Sequence, residues 1–177
     1  MNKKLLLFIV LGCFGYAIHV GTYQNKLLNE VRTAAIKYKV LHVEIYLAQV
    51  VHETNWFSSS VFKKHKNLQG MMCNIYAGCN CESSNIRDVD GQYCNYKTID
   101  QAVQNYAAWQ QVRLYDYVGL YGDDFYPDIE EEYYYFLENL VLYDSPGHRY
   151  ATDPHYIMKI KRRLIQVRSL RIFPTFL

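Results

Sequence analysis

A chain of 177 residues has room for one domain with a real core and little beyond it. Half of its residues are hydrophobic (50%) and a fifth are charged (20%), an ordinary globular balance. The net charge of +2 is too small to argue for a nucleic-acid partner.

The chain opens with Lys3-Lys4 and an apolar run from Leu5 to Ile18. A basic start followed by such a run fits a secretory signal peptide or a signal anchor over residues 1–20. The run is short of the ~20 residues of a comfortable transmembrane helix. Val10-Leu11-Gly12-Cys13 is similar to a lipoprotein box, with Leu11 a poor fit, so lipidation of Cys13 is a second option. All these options place residues 21–170 outside the cytoplasm, periplasmic or extracellular, with membrane contact only through the amino-terminal segment. A buried amino-terminal helix would explain the apolar run but not the lysines. Residues 171–177 are a tail.

Tyr23 to Tyr38 has the apolar stripe of an amphipathic helix: Leu27, Leu28, Val31, Ala35 and Tyr38. No Gly or Pro separates it from the next helix, so one long helix competes with two. Val43, Leu47, Val50 and Val51 continue the helical spacing and carry Glu53 to a helix end. There the negative end of the macrodipole disfavours a carboxylate, and a neighbouring indole, Trp56, would desolvate it further. Both effects favour a carboxylic acid still protonated near neutral pH, as protonating a glycosidic oxygen requires. A surface Glu at a frayed helix end is the plainer alternative.

Cys73, Cys79, Cys81 and Cys94 fall in a Gly/Asn/Ser-rich segment without helical period. Four cysteines in an exported chain argue for two disulfides, either Cys73–Cys79 with Cys81–Cys94 or Cys73–Cys81 with Cys79–Cys94. A four-cysteine zinc site is the rival, although C-x-C departs from the usual spacing. Glu82, Asp88 and Asp90 in this segment are candidates for a second carboxylate, with Asp88 preferred.

Thr98-x-x-Gln101 is a capping-box start for a helix to Arg113, with Ala102, Val103, Tyr106, Ala107 and Trp109 as its apolar face. Asp116 to Asp128 reads as a turn-rich connector. Ile129 to Tyr143 reads as a helix with Glu130, Glu131 and Glu132 in its first turn, closed by Ser145-Pro146-Gly147. Asp153 before Pro154 is a good N-cap for a last helix striped by Ile157, Ile160, Leu164 and Val167. Its basic residues, Lys159, Lys161, Arg162, Arg163 and Arg168, read as a solvated face rather than as an anion-binding tail. The 18 tyrosines suit a saccharide cleft, yet a run such as Tyr133-Tyr134-Tyr135 cannot all face one groove, and most read as half-buried surface.

Three blocks carry a resemblance. Leu47-Ala48-Gln49, Glu53-Thr54-x-Trp56-x-x-x-Ser60 and Asn67-Leu68-x-Gly70-Met71 form the first; Tyr96-Lys97-Thr98-Ile99-Asp100-Gln101-Ala102-Val103-x-x-Tyr106 the second; and Arg149-Tyr150-Ala151-Thr152-Asp153-Pro154-x-Tyr156-x-x-Lys159-Ile160 the third. In this order, over about residues 30 to 165, they resemble the glucosaminidase domain (glycoside hydrolase family 73) of bacterial and phage peptidoglycan hydrolases. Gln69 stands where that family usually has Phe, and Lys66 where an Asn is common; both departures touch the loop rather than the acid.

The resemblance implies a predominantly α-helical α+β fold, a lysozyme-like domain with a small disulfide-stapled β-hairpin lobe, and a helix break near Lys39 to His42. It implies hydrolysis of the peptidoglycan glycan strand after N-acetylglucosamine, without cofactor, by a monomer. Glu53 would be the general acid and Tyr150 would face it across the cleft. Some members have a second acidic residue in the cysteine segment, which the resemblance does not single out among Glu82, Asp88 and Asp90, and the substrate's N-acetyl group could assist instead. Trp56, Ser60, Asn67, Gly70, Met71, Tyr106 and Tyr156 would bind substrate. Lytic transglycosylase or muramidase-type cleavage, an inactive wall-binding module, and a structural part of a larger assembly are the alternatives.

Overall fold

The computed structural model describes residues 21–73, 82–88, 91–121, 126–139 and 153–170, with backbone alone for 72–73, 82–88, 91–92, 120–121 and 139. Its architecture follows from one helix that is buried all round through its middle. In α2 (Val43–Glu53) every residue from Ile45 to Val51 is buried. A helix with no wet face has to be enclosed on all sides, and the other helices supply the enclosure. The first helix, α1 (21–37), turns Leu27, Leu28, Val31, Ala34 and Ala35 inward. The last, α6 (Tyr156–Ser169), lies against α2 through Tyr156, Ile160, Leu164 and Val167. Tyr156 rather than Ile157 completes the buried stripe; Ile157 is half-buried.

The helix break lies where the resemblance puts it. Lys39 and His42 both have left-handed backbones, with φ of 56° and 51°. Such φ values are uncommon outside glycine, so tertiary contacts must hold them. The His42 imidazole donates from Nε2 to the Pro127 carbonyl at 2.7 Å. Gln110 clasps the backbone of Leu41 from both sides, accepting from its N–H at 2.8 Å and donating to its carbonyl at 3.2 Å.

Beyond α2 come the short helix α3 (Ser60–His65) and a three-stranded antiparallel sheet in the order β1-β3-β2. Its strands are β1 (Met72–Cys73), β2 (Glu82–Asp88) and β3 (Gly91–Asn95). Asp88 pairs with Gly91 at the hairpin end, and the β2–β3 register is irregular between Ser83 and Arg87. Cys94 is disulfide-bonded; the side chains of Cys73, Cys79 and Cys81, and so their pairing, lie outside the described residues, as does Asp90.

Helix α4 (Ile99–Tyr121) starts as the capping box predicts, the Gln101 N–H donating to Thr98 Oγ1 at 3.1 Å. It does not stop at Arg113. The expected connector is helical as far as Tyr121, because Tyr117 is buried edge-on against Phe136 of α5 (Glu130–Asn139), and that packing outweighs the helix penalty of Gly119. Residues 140–152, including Ser145-Pro146-Gly147, lie outside the described residues. So do the segments 1–20 and 171–177.

Two expectations change at the last helix and in the tyrosines. Asp153 is not the residue flanking α6, whose N-cap is His155; its carboxylate instead accepts from the His155 N–H at 2.9 Å. Among the described residues Tyr46, Tyr96, Tyr106, Tyr117, Tyr133, Tyr134 and Tyr156 are buried core rather than half-buried surface, whereas Tyr23, Tyr115, Tyr126 and Tyr135 are exposed.

Candidate active site

Glu53 ends α2, and the chain reverses at once. Thr54, buried beside it, uses one hydroxyl twice: it donates to the Val50 carbonyl at 2.6 Å and accepts from the Phe57 N–H at 2.9 Å. Between those two bonds Asn55, Trp56 and Phe57 all have left-handed backbones, with φ of 45°, 56° and 63°. Consecutive left-handed residues with side chains are costly, and the surroundings must over-determine them. The Trp56 N–H donates to the Val51 carbonyl at 3.0 Å, and the Trp56 carbonyl accepts from Gln24 of α1 at 3.1 Å. Ser59 then caps α3 by accepting from the Phe62 N–H at 3.2 Å.

This turn leaves Glu53 solvent-accessible while the protein crowds its carboxyl. Loss of hydration pushes the carboxyl up to about 7, and a hydrogen bond from the Tyr156 hydroxyl pulls it part of the way back. Desolvation therefore dominates, and a residue of α6 opposes it. An accessible acid that still holds its proton near neutrality is a group that can protonate a substrate.

Tyr156 is the nearest link in a buried polar chain. Its oxygen accepts from Gln49 Nε2 at 3.2 Å, and Gln49 Oε1 accepts from the Tyr106 hydroxyl at 3.2 Å. The Tyr106 and Tyr133 hydroxyls lie 3.3 Å apart, and Gln110 Nε2 donates to the Tyr133 oxygen at 2.6 Å. Burial pushes the phenol of Tyr133 up to about 12 and that of Tyr156 well above the ordinary tyrosine range, so both stay protonated. His52 lies edge-on to the Tyr156 ring, with centroids 5.7 Å apart; desolvation and the charges of Arg163 and Lys159 hold it below the ordinary histidine range.

The other expected site residues divide. Trp56 is half-buried and Ser60 exposed, both just beyond the acid in sequence. Asn67 is buried and engaged in shaping its loop: its Nδ2 donates to the carbonyls of Met71 and Cys94 at 2.7 and 3.2 Å, and its Oδ1 accepts from the Met71 N–H at 3.0 Å. Met71 is buried as well, and Gly70 serves the same turn with φ +64°. Tyr106 has no accessible surface, so it is a core member of the polar chain rather than a sugar-facing wall. Gln69 is buried, on the side of the loop that faces Tyr46. Tyr150 and the side chain of Asp88 lie outside the described residues. Among the described residues no group of three or more His, Cys, Asp or Glu is gathered to hold a metal ion.

Sequence reasoning did not single out Gln49, Thr54, Tyr133 or Gln110 for a role. The available signal was a glutamine in an otherwise apolar helix, and a buried amide needs partners.

A family model described as Glucosaminidase, mannosyl-glycoprotein endo-beta-N-acetylglucosaminidase, matches residues 28–168. Among solved structures, the catalytic domain of the autolysin Auto from Listeria monocytogenes matches with a TM-score of 0.53 and 16% identity, covering 87% of each chain. No curated protein matches this chain.

Proposed function

Because the chain belongs to the glucosaminidase family and is a glycoside hydrolase, we propose that it cuts the glycan strand of peptidoglycan after N-acetylglucosamine, with Glu53 as general acid. The observation that carries this is Glu53 itself: a residue with exposed surface at a helix end, whose carboxyl the surrounding protein desolvates and pushes up to about 7. The likeness of the fold to an autolysin catalytic domain supports the choice of wall glycan as substrate.

In the first step Glu53 gives its proton to the leaving glycosidic oxygen while positive charge develops on the sugar. The Tyr156 hydrogen bond strengthens as Glu53 becomes a carboxylate, since bonds to charged acceptors are the stronger ones. Asp88, on the hairpin, is assigned as the second carboxylate, with participation of the substrate's N-acetyl group as the alternative route. Tyr150 is assigned to the developing charge, and Trp56 and Ser60 to the sugar. The disulfide at Cys94 supports a stapled hairpin lobe, which has little core of its own. Residues 1–20 are assigned to export or anchoring, so the enzyme works outside the cytoplasm as a monomer.

Zymography on purified cell walls with Glu53→Gln tests the acid. Clearing by the wild type and none by the variant, at unchanged circular dichroism, is the expected result; equal clearing refutes the assignment. Mass spectrometry of the wild-type products names the bond. Reducing N-acetylglucosamine ends support hydrolysis, 1,6-anhydro ends would make the enzyme a lytic transglycosylase, and binding without clearing would make it a wall-binding module.

A further inference from the structure

We propose that Gln49 is a positioning residue that aims the Tyr156 hydroxyl at Glu53, and that the Gln110–Tyr133–Tyr106 chain holds its amide in the required sense. The inference rests on Glu53 being the acid, and it deepens that assignment by naming what orients it.

The direction of the chain is set at its far end. Leu41 presents one backbone N–H and one backbone carbonyl to Gln110, so the amide oxygen must face the N–H and the amide nitrogen the carbonyl. The nitrogen therefore also faces Tyr133, whose oxygen accepts from it. Tyr133 then has its hydroxyl proton to give to the Tyr106 oxygen. Tyr106 in turn gives its own proton to Gln49 Oε1. With that oxygen occupied, the Gln49 NH2 faces Tyr156 and donates to it. Tyr156 is left with a single proton to donate, and the Glu53 carboxyl is the acceptor it acts on. A phenol carries one donor, so each link fixes the next. Were Gln49 turned over, Tyr156 would face an amide oxygen and its proton would be drawn away from the acid.

Titratable groups near the pair enter the expected behaviour. From α2, His52 lies against the Tyr156 ring; from α6, Lys159 and Arg163 act on His52, as does Asp153 just before that helix. None of these groups belongs to the donor chain.

The test follows the Glu53 carboxyl by carbon-13 NMR titration, alongside the pH dependence of wall hydrolysis, in wild type, Gln49→Met, Tyr106→Phe and Tyr156→Phe. Losing a hydrogen bond to a carboxylate moves its midpoint up by about one pH unit. Gln49→Met and Tyr106→Phe are expected to shift both the midpoint and the basic limb of the rate profile upward. Adding Gln49→Met to the Tyr156→Phe background should move neither, because the effect passes through that hydroxyl. Tyr106→Phe keeps the ring and is the variant to read should Gln49→Met fail to fold. An unmoved midpoint in a folded variant overturns the proposal, as does a rate loss equal at all pH. If the midpoint moves while Glu53→Gln still clears walls, the positioning stands and the acid assignment falls. If it stays while that variant is dead, the reverse holds.

Discussion

Tyr156, the first residue of the last helix, donates its hydroxyl to Glu53, the last residue of the second. The two helix ends meet at one hydrogen bond, and desolvation of the carboxyl is the larger of the two effects that set its proton affinity. A general acid must be protonated, so hydrolysis should fall as pH rises through about 7. Removing the phenol should move that limb to higher pH while lowering the maximum rate, because the carboxylate formed by proton transfer loses its donor. Rate profiles of wild type and Tyr156→Phe on soluble glycan strands check this, and an unshifted limb would contradict it.

Thr54 is the fixed point of the reversal after the acid. Replacing it by Val keeps the shape and removes both bonds of the hydroxyl, to the Val50 carbonyl and from the Phe57 N–H. The buried Phe57 N–H is then left without that acceptor, in a stretch already held in left-handed geometry. The expected cost is about 1–3 kcal/mol in urea unfolding. Activity should fall further than stability alone explains, since Glu53 sits on the turn. A variant as stable as wild type would show that the turn is held by other contacts.

Why some of this was legible is visible in individual residues. The spacing of Val43, Leu47, Val50 and Val51 placed Glu53 at a helix end, because burial of one face is written directly in sequence. The break before that helix was not legible from local chemistry, since the left-handed His42 is bound by Pro127 and the neighbouring Leu41 by Gln110, both far along the chain. The reversal at Asn55–Phe57 was hidden for a similar reason: Trp and Phe carry no turn signal, and Thr54 acts through geometry. Desolvation was among the expected causes of the raised proton affinity of Glu53 and is the larger effect; the opposing hydrogen bond from Tyr156 was not expected. Composition counted the tyrosines, but burial decided that Tyr106 and Tyr133 are links in a chain rather than walls of a groove.

Three of the cations of α6 stand in ion pairs. Lys159 pairs with Asp153, Lys161 with Glu131 at 3.0 Å, and Arg168 bridges Glu44 at 3.0 Å and Glu130 at 2.8 Å. Arg168 thereby joins α6 to α2 and α5 at the end remote from Glu53 in sequence. Its side chain is 49% exposed, so the pairs are well screened. Arg168→Met should lower stability by about 1 kcal/mol or less, and added salt should bring wild type toward the variant. Chemical unfolding at low and high ionic strength measures both.

The raised proton affinity of Glu53 also has a consequence for stability. Folding lifts this carboxyl from its ordinary value of 4.5 to about 7, so between those values the folded state holds more protons than the unfolded chain. Stability must then decline as pH rises through that window, because it follows the difference in bound protons. Above pH 7 the folded state carries a poorly solvated carboxylate at the active site. Glutamine mimics the protonated form in shape and removes that charge. Glu53→Gln should therefore melt at a higher temperature than wild type at pH 8, with the difference shrinking as pH falls and vanishing near pH 4. Calorimetric melting temperatures of the two proteins across this range decide the matter. A constant gap would mean that packing rather than ionisation separates them, and no gap at pH 8 would mean that Glu53 is as well hydrated folded as unfolded.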